Sequence, residues 1–165
     1  MLKKISCLFM TLTILFSLLV SCNINKYHAT LYDDVDHWIK QEFADNNLVR
    51  GVYVQGNNLT TDQSLPRSRT FLITTQAKFD EIFNSSAPAV DFTKEILALY
   101  TFTCDYVREI KLGDIEIDGL KLEIEYEMVH PLSCQSIGDA VPPYQRYILV
   151  KLDKVNVTHV QFERD

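Results

Sequence analysis

An alternating pattern covers Leu120–Met128, where every second residue is apolar and the residues between are Lys or Glu. This period of two predicts a strand with one face in the core and the other in water. Asp118-Gly119, directly before it, is a two-residue hairpin signal. A turn at these two residues would pair Ile117 with Leu120.

In the strand before this turn, the alternation of apolar and polar residues does not keep the apolar residues on one face throughout. Ile110 and Leu112 fall on the polar face if the strand continues without interruption. One extra residue at Gly113-Asp114 would return them to the apolar face, opposite Ile124 and Tyr126. The pattern therefore predicts a β-bulge at Gly113-Asp114.

Five further runs have the composition of strands. Ile96–Phe102 is apolar at almost every position, which is typical of a central strand covered on both faces. The polar stretch Gly56–Ser68 is expected to be an exposed loop. The remaining strand predictions are Val49–Gln55, Phe71–Thr74, Gln145–Leu152 and a last strand near Val157–Phe162.

Helical spacing of apolar residues occurs twice. Leu31 to Asn46 carries apolar residues three and four apart and predicts one amphipathic helix. Thr75 can cap a second, short helix whose apolar face contains Phe79, Ile82 and Phe83. Two helices and about seven mostly hairpin-connected strands predict an α+β fold, in which the helices pack on a twisted antiparallel sheet.

The first residues have the character of an export signal. Lys3 and Lys4 precede sixteen uncharged residues, which is short for a spanning helix. The next residues, Leu19-Val20-Ser21-Cys22, resemble the lipobox of bacterial lipoproteins. The resemblance implies that the Cys22 thiol receives a diacylglyceryl group and that the chain is cut before Cys22. A plain secretory signal cut elsewhere and an uncleaved anchor are the alternatives.

This interpretation divides the chain into three parts. Residues 1–21 are a signal peptide, residues 22–30 are the lipidated cysteine and a tether, and residues 31–165 form a single domain. Acyl chains such as palmitate on Cys22 would hold the protein on a lipid bilayer. The expected location is the bacterial cell envelope or periplasm, facing away from the cytoplasm, and on the outer membrane where the organism has one.

The charge balance argues against nucleic acid as a partner. The chain has 16 Lys and Arg against 22 Asp and Glu, a formal charge of −6. Residues 1–21 contain two Lys and no acid, so the remainder would carry 14 basic and 22 acidic groups, a charge of −8. Such a surface neither neutralises a phosphate backbone nor lies flat on anionic lipid.

Two of the four cysteines remain after export. Cys7 lies in the signal and Cys22 would be acylated, which leaves Cys104 and Cys134. Outside the cytoplasm such a pair is expected to form a disulfide, and two unpaired thiols are the alternative.

Catalytic chemistry finds little support in the sequence. The four histidines are scattered singly, without metal-site spacing, so neither a metal nor a cofactor is expected. Cys104 or Cys134 with His130 lacks the flanking pattern of a thiol hydrolase. Glu123, Glu125 and Glu127 could be an acid/base array, although exposed charges that keep a strand soluble are more common.

Several short motifs together resemble the C-terminal domain of the PrcB family, accessory subunits of an exported protease complex. They are the helix segment Lys78–Phe83, the Asp91-Phe92-Thr93-Lys94 segment before a buried strand, and the Pro143-Tyr144 step into the penultimate strand. Where such domains have a Gly-Gly-Tyr turn, this chain has Cys104-Asp105-Tyr106. The resemblance implies a non-catalytic domain that stabilises or presents an exported protein.

The loop from His130 to Pro143 is the expected partner-binding surface. It has 14 residues without a helical or strand period, and loops of that length are commonly functional or disordered. The residues expected to meet a partner are Leu132, Ile137, Val141 and Tyr144. The leading hypothesis is a membrane-anchored protein-binding or complex-stabilising module whose partner is an exported protein, a protease being one candidate. An extracytoplasmic peptidase inhibitor is the alternative, and a hydrolase is a distant third.

Overall fold

The computed structural model describes residues 27–32, 35–47, 51–54, 58–61, 68–104, 109–129 and 144–165. Within these ranges it contains nine strands, two α-helices and one 3-10 helix. The strands are β1 Ala29–Tyr32, β2 Gly51–Val54, β3 Asn58–Thr61, β4 Ser68–Ile73, β5 Glu95–Cys104, β6 Glu109–Asp118, β7 Lys121–Val129, β8 Tyr144–Asp153 and β9 His159–Arg164. The helices are α1 Gln41–Asn47 and α2 Gln76–Ile82, and the 3-10 helix covers Asp36–Trp38.

Seven of these strands form two sheets. An antiparallel sheet has the order β1-β8-β5-β4, and a second sheet has the order β6-β7-β9. The remaining two strands, β2 and β3, form a separate antiparallel hairpin. The predicted α+β class, with helices packed on a sheet, is confirmed. The pairing of β7 with β9 is parallel, and β8, which lies between them in the chain, belongs to the other sheet.

Strand β5 is buried on both faces, as its apolar run predicted. Its side chains alternate between two cores: Ile96, Ala98 and Phe102 face one, and Leu97 and Leu99 face the other. All five are at least nine-tenths buried. The four-stranded sheet is therefore the middle layer of the described structure.

The first core lies between the two sheets. Its members come from β5 and β8 on one side and from the three-stranded sheet on the other. An aromatic group strengthens this junction, since Tyr100 stacks on Phe102 and on Phe162 with ring centroids 5.0 and 5.3 Å apart. The buried residues of this core are Ile96, Ala98, Phe102, Ile115, Leu122, Ile124, Tyr126, Ile148, Val150, Leu152, Val157 and Val160.

The second core lies between the helices and the opposite face of the four-stranded sheet. The Thr75 side chain accepts a hydrogen bond from the Lys78 amide, so the predicted cap of α2 is confirmed. A backbone bridge joins Ile39 to Phe83 and ties the two helical segments together. The buried residues of this core are Val35, Ile39, Phe43, Ala44, Ile73, Phe79, Ile82, Phe83, Leu97, Leu99 and Leu149.

The predicted bulge is present, and the hairpin turn lies one residue later than expected. Gly119 and Leu120 form the turn, so Asp118 pairs with Lys121 and Ile117 pairs with Leu122 rather than with Leu120. The inward face is unchanged, because the register moves by two residues and the side-chain period is two.

Gly113 and Asp114 together oppose Glu125, and this extra residue is the bulge. Past the bulge, Leu112 pairs with Tyr126 and Ile110 with Met128. A Cβ on Gly113 would stand 2.9 Å from the Cβ of Glu125, so this position has no room for a side chain.

The predicted helix over Leu31 to Asn46 is wrong in its first half. Leu31 and Tyr32 belong to β1 and pair with Val150 and Leu149 of β8. The α-helix begins only at Gln41. Val35, Ile39 and Phe43 are buried as expected, whereas Leu31 and Trp38 are partly buried. Pairing with the edge of β8 satisfies the backbone of residues 29–32 without a helix.

Two predicted loop assignments also change. The tether was expected to extend to residue 30, yet β1 already begins at Ala29. The stretch Gly56–Ser68 was expected to be a loop, yet it contains β3 and the first residue of β4.

Candidate functional site

Most of the predicted site residues lie outside the described residues. These are Cys22, Leu132, Cys134, Ile137 and Val141. Cys104 is the last residue of β5 and Tyr144 the first of β8, and they are register partners in the sheet. The disulfide, the lipidation and the loop surface therefore stay predictions.

The strand ends around Cys104 and Tyr144 define one end of the molecule, which we call the loop end. Glu109 begins β6 and pairs with Val129, the last residue of β7. Glu109 follows Cys104 by five residues, so the two are at most about 18 Å apart. The chain thus leaves the described structure at Val129 and returns at Tyr144 at this same end.

The opposite end of β8 lies beside Tyr27 and His28, where the described structure begins, and we call it the tether end after the predicted tether. The Asp153 amide donates to the carbonyl of His28, at 3.4 Å. The next amide, of Lys154, donates to the carbonyl of Lys94 at 2.7 Å, and the amide of Thr158 donates to Leu120 at 2.8 Å. The β6–β7 hairpin tip and the start of β5 therefore lie at the tether end too.

The Asp91-Phe92-Thr93-Lys94 motif forms a hydrogen-bonded turn at the tether end. The Asp91 carbonyl accepts from the amides of Lys94 and Glu95, both at 2.8 Å. The Thr93 hydroxyl and amide donate to the Asp91 carboxylate at 2.5 and 3.0 Å, and they hold the pKa of that carboxyl below its usual value. Phe92 packs on Phe79, so the motif starts β5 and seals the second core.

An ion pair joins this turn to β8. Lys151 Nζ lies 2.9 Å from Glu95 Oε1. Its hydrogen bond, and a second from the Asp91 amide, lower the pKa of the Glu95 carboxyl. The same bond to Glu95 raises the pKa of Lys151. All these groups have structural partners, so the turn is an anchoring element of the fold.

The outer face of the three-stranded sheet is strongly acidic. Glu123, Glu125 and Glu127 point away from the core, as the alternation predicted, and Glu116 and Glu163 lie beside them in register. Lys121 forms an ion pair with Glu123, whose carboxylate accepts its hydrogen bond and raises the pKa of Lys121. This arrangement is a wide anionic surface rather than a pair of carboxyls enclosed in a cleft.

Two hollows beside the helices were not predicted. One is lined by aromatic residues including Trp38 and Phe79, and its accessible volume of about 10 Å³ is no more than one water requires. The other, about 330 Å³, lies between α1 and α2 and is lined by Lys40, Glu42, Phe43, Asn46, Asn47 and Glu81. Ligand pockets are mostly apolar, and this cleft is mostly polar. No spacing in the sequence signals either hollow, because each forms between segments distant in the chain.

A metal site needs several ligating side chains close together. No three His, Cys, Asp or Glu side chains in the described part of the chain come together in a way that could hold a metal ion. Within those same ranges, no helix has the length and apolar character needed to cross a bilayer.

The hairpin tip at the tether end is the most unusual surface feature. Leu120 is 49% exposed, and among the described side chains it is the one large hydrophobic residue that lies on the surface. Gly119 has φ +61°, as the first position of the common two-residue hairpin turns requires. The sequence placed Leu120 on the apolar face of a strand, and so missed it as a surface residue.

Comparison with known proteins gives no relative from which a function could be transferred. No protein-family model, no curated protein and no solved structure matches this chain. The resemblance to the PrcB family therefore stays a prediction, and a function has to be argued from the surfaces of the molecule.

Proposed function

We propose that this protein is a lipid-anchored, non-catalytic module of the bacterial cell envelope that binds an exported protein at its loop end. The lipobox-like residues ending at Cys22 support the anchor. The loop from His130 to Pro143 is the proposed binding surface, and it joins the described structure at the loop end.

The separation of the two ends carries this proposal. His28 is bonded at Asp153, whereas Tyr144 is the first residue of the same ten-residue strand. Nine steps along a β-strand span about 30 Å. A domain tethered at one end of β8 would therefore hold the other end well away from the lipid, where a soluble or membrane-attached partner has access.

The distribution of charge supports an upright orientation. The acidic face of the three-stranded sheet runs along the side of the molecule, from the tether end towards the loop end. Bacterial membranes carry anionic lipid, so laying this side on the membrane would bring like charges together. Standing on the tether end avoids that repulsion.

The test is capture of envelope proteins by the full-length protein in detergent. Wild type, the double variant Leu132→Ser with Ile137→Ser, and Leu120→Ser are immobilised and exposed to solubilised envelope extract. Leu120→Ser is the matched control, because it makes the same chemical change at the opposite end. We expect one or a few proteins to be retained by wild type and by Leu120→Ser and lost with the double variant.

The outcomes separate the candidate functions. Equal capture by all three proteins, with circular dichroism showing intact folds, would place the binding surface elsewhere and refute the proposal. If the captured protein is a peptidase that wild type inhibits and the double variant does not, the peptidase inhibitor becomes the better description.

A further inference from the structure

Leu120 is unusual for its position. Two-residue hairpin turns favour Gly, Asn and Asp, and an exposed leucine there leaves its apolar surface in water. A Cβ built on the neighbouring Gly119 would find no atom within 4 Å, so the tip projects into open space. The Leu120 side chain is 49% exposed, so about half of its apolar surface stays in contact with water.

The tip lies close to the point where the tether enters. The Thr158 amide is bonded to Leu120, and Thr158 follows Lys154 by only four residues, at most about 14 Å of chain. Lys154 in turn follows Asp153, whose amide is bonded to His28. If Cys22 carries the lipid, His28 follows it by six residues, a reach of at most about 21 Å.

The charges of the tether end are compatible with a lipid surface. Lys94 Nζ lies 3.3 Å from Asp91 Oδ2, and Lys151 neutralises Glu95. Lys154 donates to the carbonyl of Phe92, and its charge offsets that of Asp153 beside it. At the tip, Asp118 lies opposite Lys121, so the acidic groups of this end are balanced by lysines. The outer face of the three-stranded sheet carries five glutamates but only two lysines, Lys121, which pairs with Glu123, and Lys111, which lies opposite Glu127. Its excess of negative charge makes the tether end the better match for anionic lipid.

We propose that the hairpin tip rests on the bilayer, with the Leu120 side chain in the interfacial region and the surrounding lysines near the headgroups. This inference rests on the proposed lipid anchor at Cys22. The anchor supplies most of the membrane affinity, and Leu120 acts as a second point of contact that fixes the orientation of the domain. The surface that covers Leu120 is thus the same bilayer that holds the lipid anchor.

Tryptophan placed at the tip tests the contact directly. Full-length lipidated protein is reconstituted into vesicles of phosphatidylethanolamine and phosphatidylglycerol, with or without bromine on the acyl chains. Leu120→Trp reports on the tip, Glu127→Trp reports on the outer face of β7, and wild type gives the background of Trp38, the one natural tryptophan. Vesicles are separated by flotation before each measurement.

We expect the added emission of Leu120→Trp to shift to shorter wavelength and to lose most of its intensity with brominated lipid. The added emission of Glu127→Trp should instead be quenched by iodide in the aqueous phase. Iodide quenching of both variants to the same degree, in protein that floats, would overturn the tip contact and leave the anchor intact. Quenching of Glu127→Trp by brominated lipid would also overturn it, because the domain would then lie on its acidic side.

Flotation distinguishes this result from failure of the anchor. Wild type should float, and Cys22→Ala should remain in the soluble fraction. If wild type fails to float, the proposed anchor is wrong and the tip contact falls with it.

Discussion

The two sheets of this protein differ in how many of their faces are covered. The four-stranded sheet packs against helices on one face and against the second sheet on the other, so adjacent residues such as Ile96 and Leu97 are both fully buried. The three-stranded sheet is covered on one face, so buried Ile124 alternates with outward Glu123 and Glu125. The residue pattern of a strand therefore reports the number of layers around it.

The same difference separates stability from surface properties. Strands β5 and β8 contribute side chains to both cores, and little of their surface reaches solvent. The outer face of β6, β7 and β9 is rich in glutamate, with five such side chains. We infer that changes in the middle layer affect folding, whereas changes on the outer face and at the two ends affect contacts with other molecules.

The largest expected effect comes from truncating side chains in the middle layer. Ile96→Ala and Leu97→Ala should each lower the free energy of unfolding by about 2–5 kcal/mol, because each leaves a cavity in a different core. In β7, Ile124→Ala should cost as much, whereas Glu127→Ala should change stability by less than about 0.5 kcal/mol. Urea denaturation of the purified protein measures all four values. A small cost at either Ile96 or Leu97 would mean that one face of β5 is not a packed core.

The β-bulge offers a second test, within the three-stranded sheet. Gly113→Ala should lower the free energy of unfolding by about 1–3 kcal/mol, because the new Cβ would stand 2.9 Å from the Cβ of Glu125. Glu125→Gly removes that atom, so Gly113→Ala should cost less in the Glu125→Gly background. Denaturation of the two single variants and the double variant gives the coupling. The same cost in both backgrounds would show that the contact is not the reason for glycine at this position.

The smallest expected effect concerns pH and the Glu95–Lys151 pair of the four-stranded sheet. The pKa of Glu95 is lowered from 4.5, chiefly by the hydrogen bond from Lys151. A lowered pKa in the folded state means that Glu95 contributes stability above pH 4.5, and that this contribution is lost as the pH falls through the folded value. Glu95→Gln should therefore lose less stability than wild type between neutral pH and about pH 3.

The Lys151→Met background is the control for this pH effect. Without the amine, Glu95→Gln should change the pH dependence much less, because the main cause of the lowered pKa has been removed. Denaturation curves at each pH for the four proteins check this expectation. An unchanged acid dependence in Glu95→Gln alone would show that the ion pair makes no measurable contribution.

A structural feature was predicted correctly when the residues that determine it are close together in the chain, and less well when they are far apart. The cap at Thr75, the bulge at Gly113-Asp114 and the double burial of β5 were predicted correctly. Each follows from residues that are close together in the chain. The hairpin turn was misplaced by one residue because Asp-Gly and Gly-Leu both put glycine where a positive φ is possible, and only the paired strands select between them.

The sequence by itself determined which positions are apolar enough to be buried, where several elements begin, and which strands have one or two covered faces. The tertiary structure alone decided the partners of those elements: that Leu31 and Tyr32 form an edge strand on β8, that β9 pairs in parallel with β7, and that the strands divide into two sheets. It also decided that Leu120 is exposed at the tether end. The physical reason is that the spacing of apolar residues shows which side chains must be buried, whereas the strand or helix that buries them comes from a distant part of the chain.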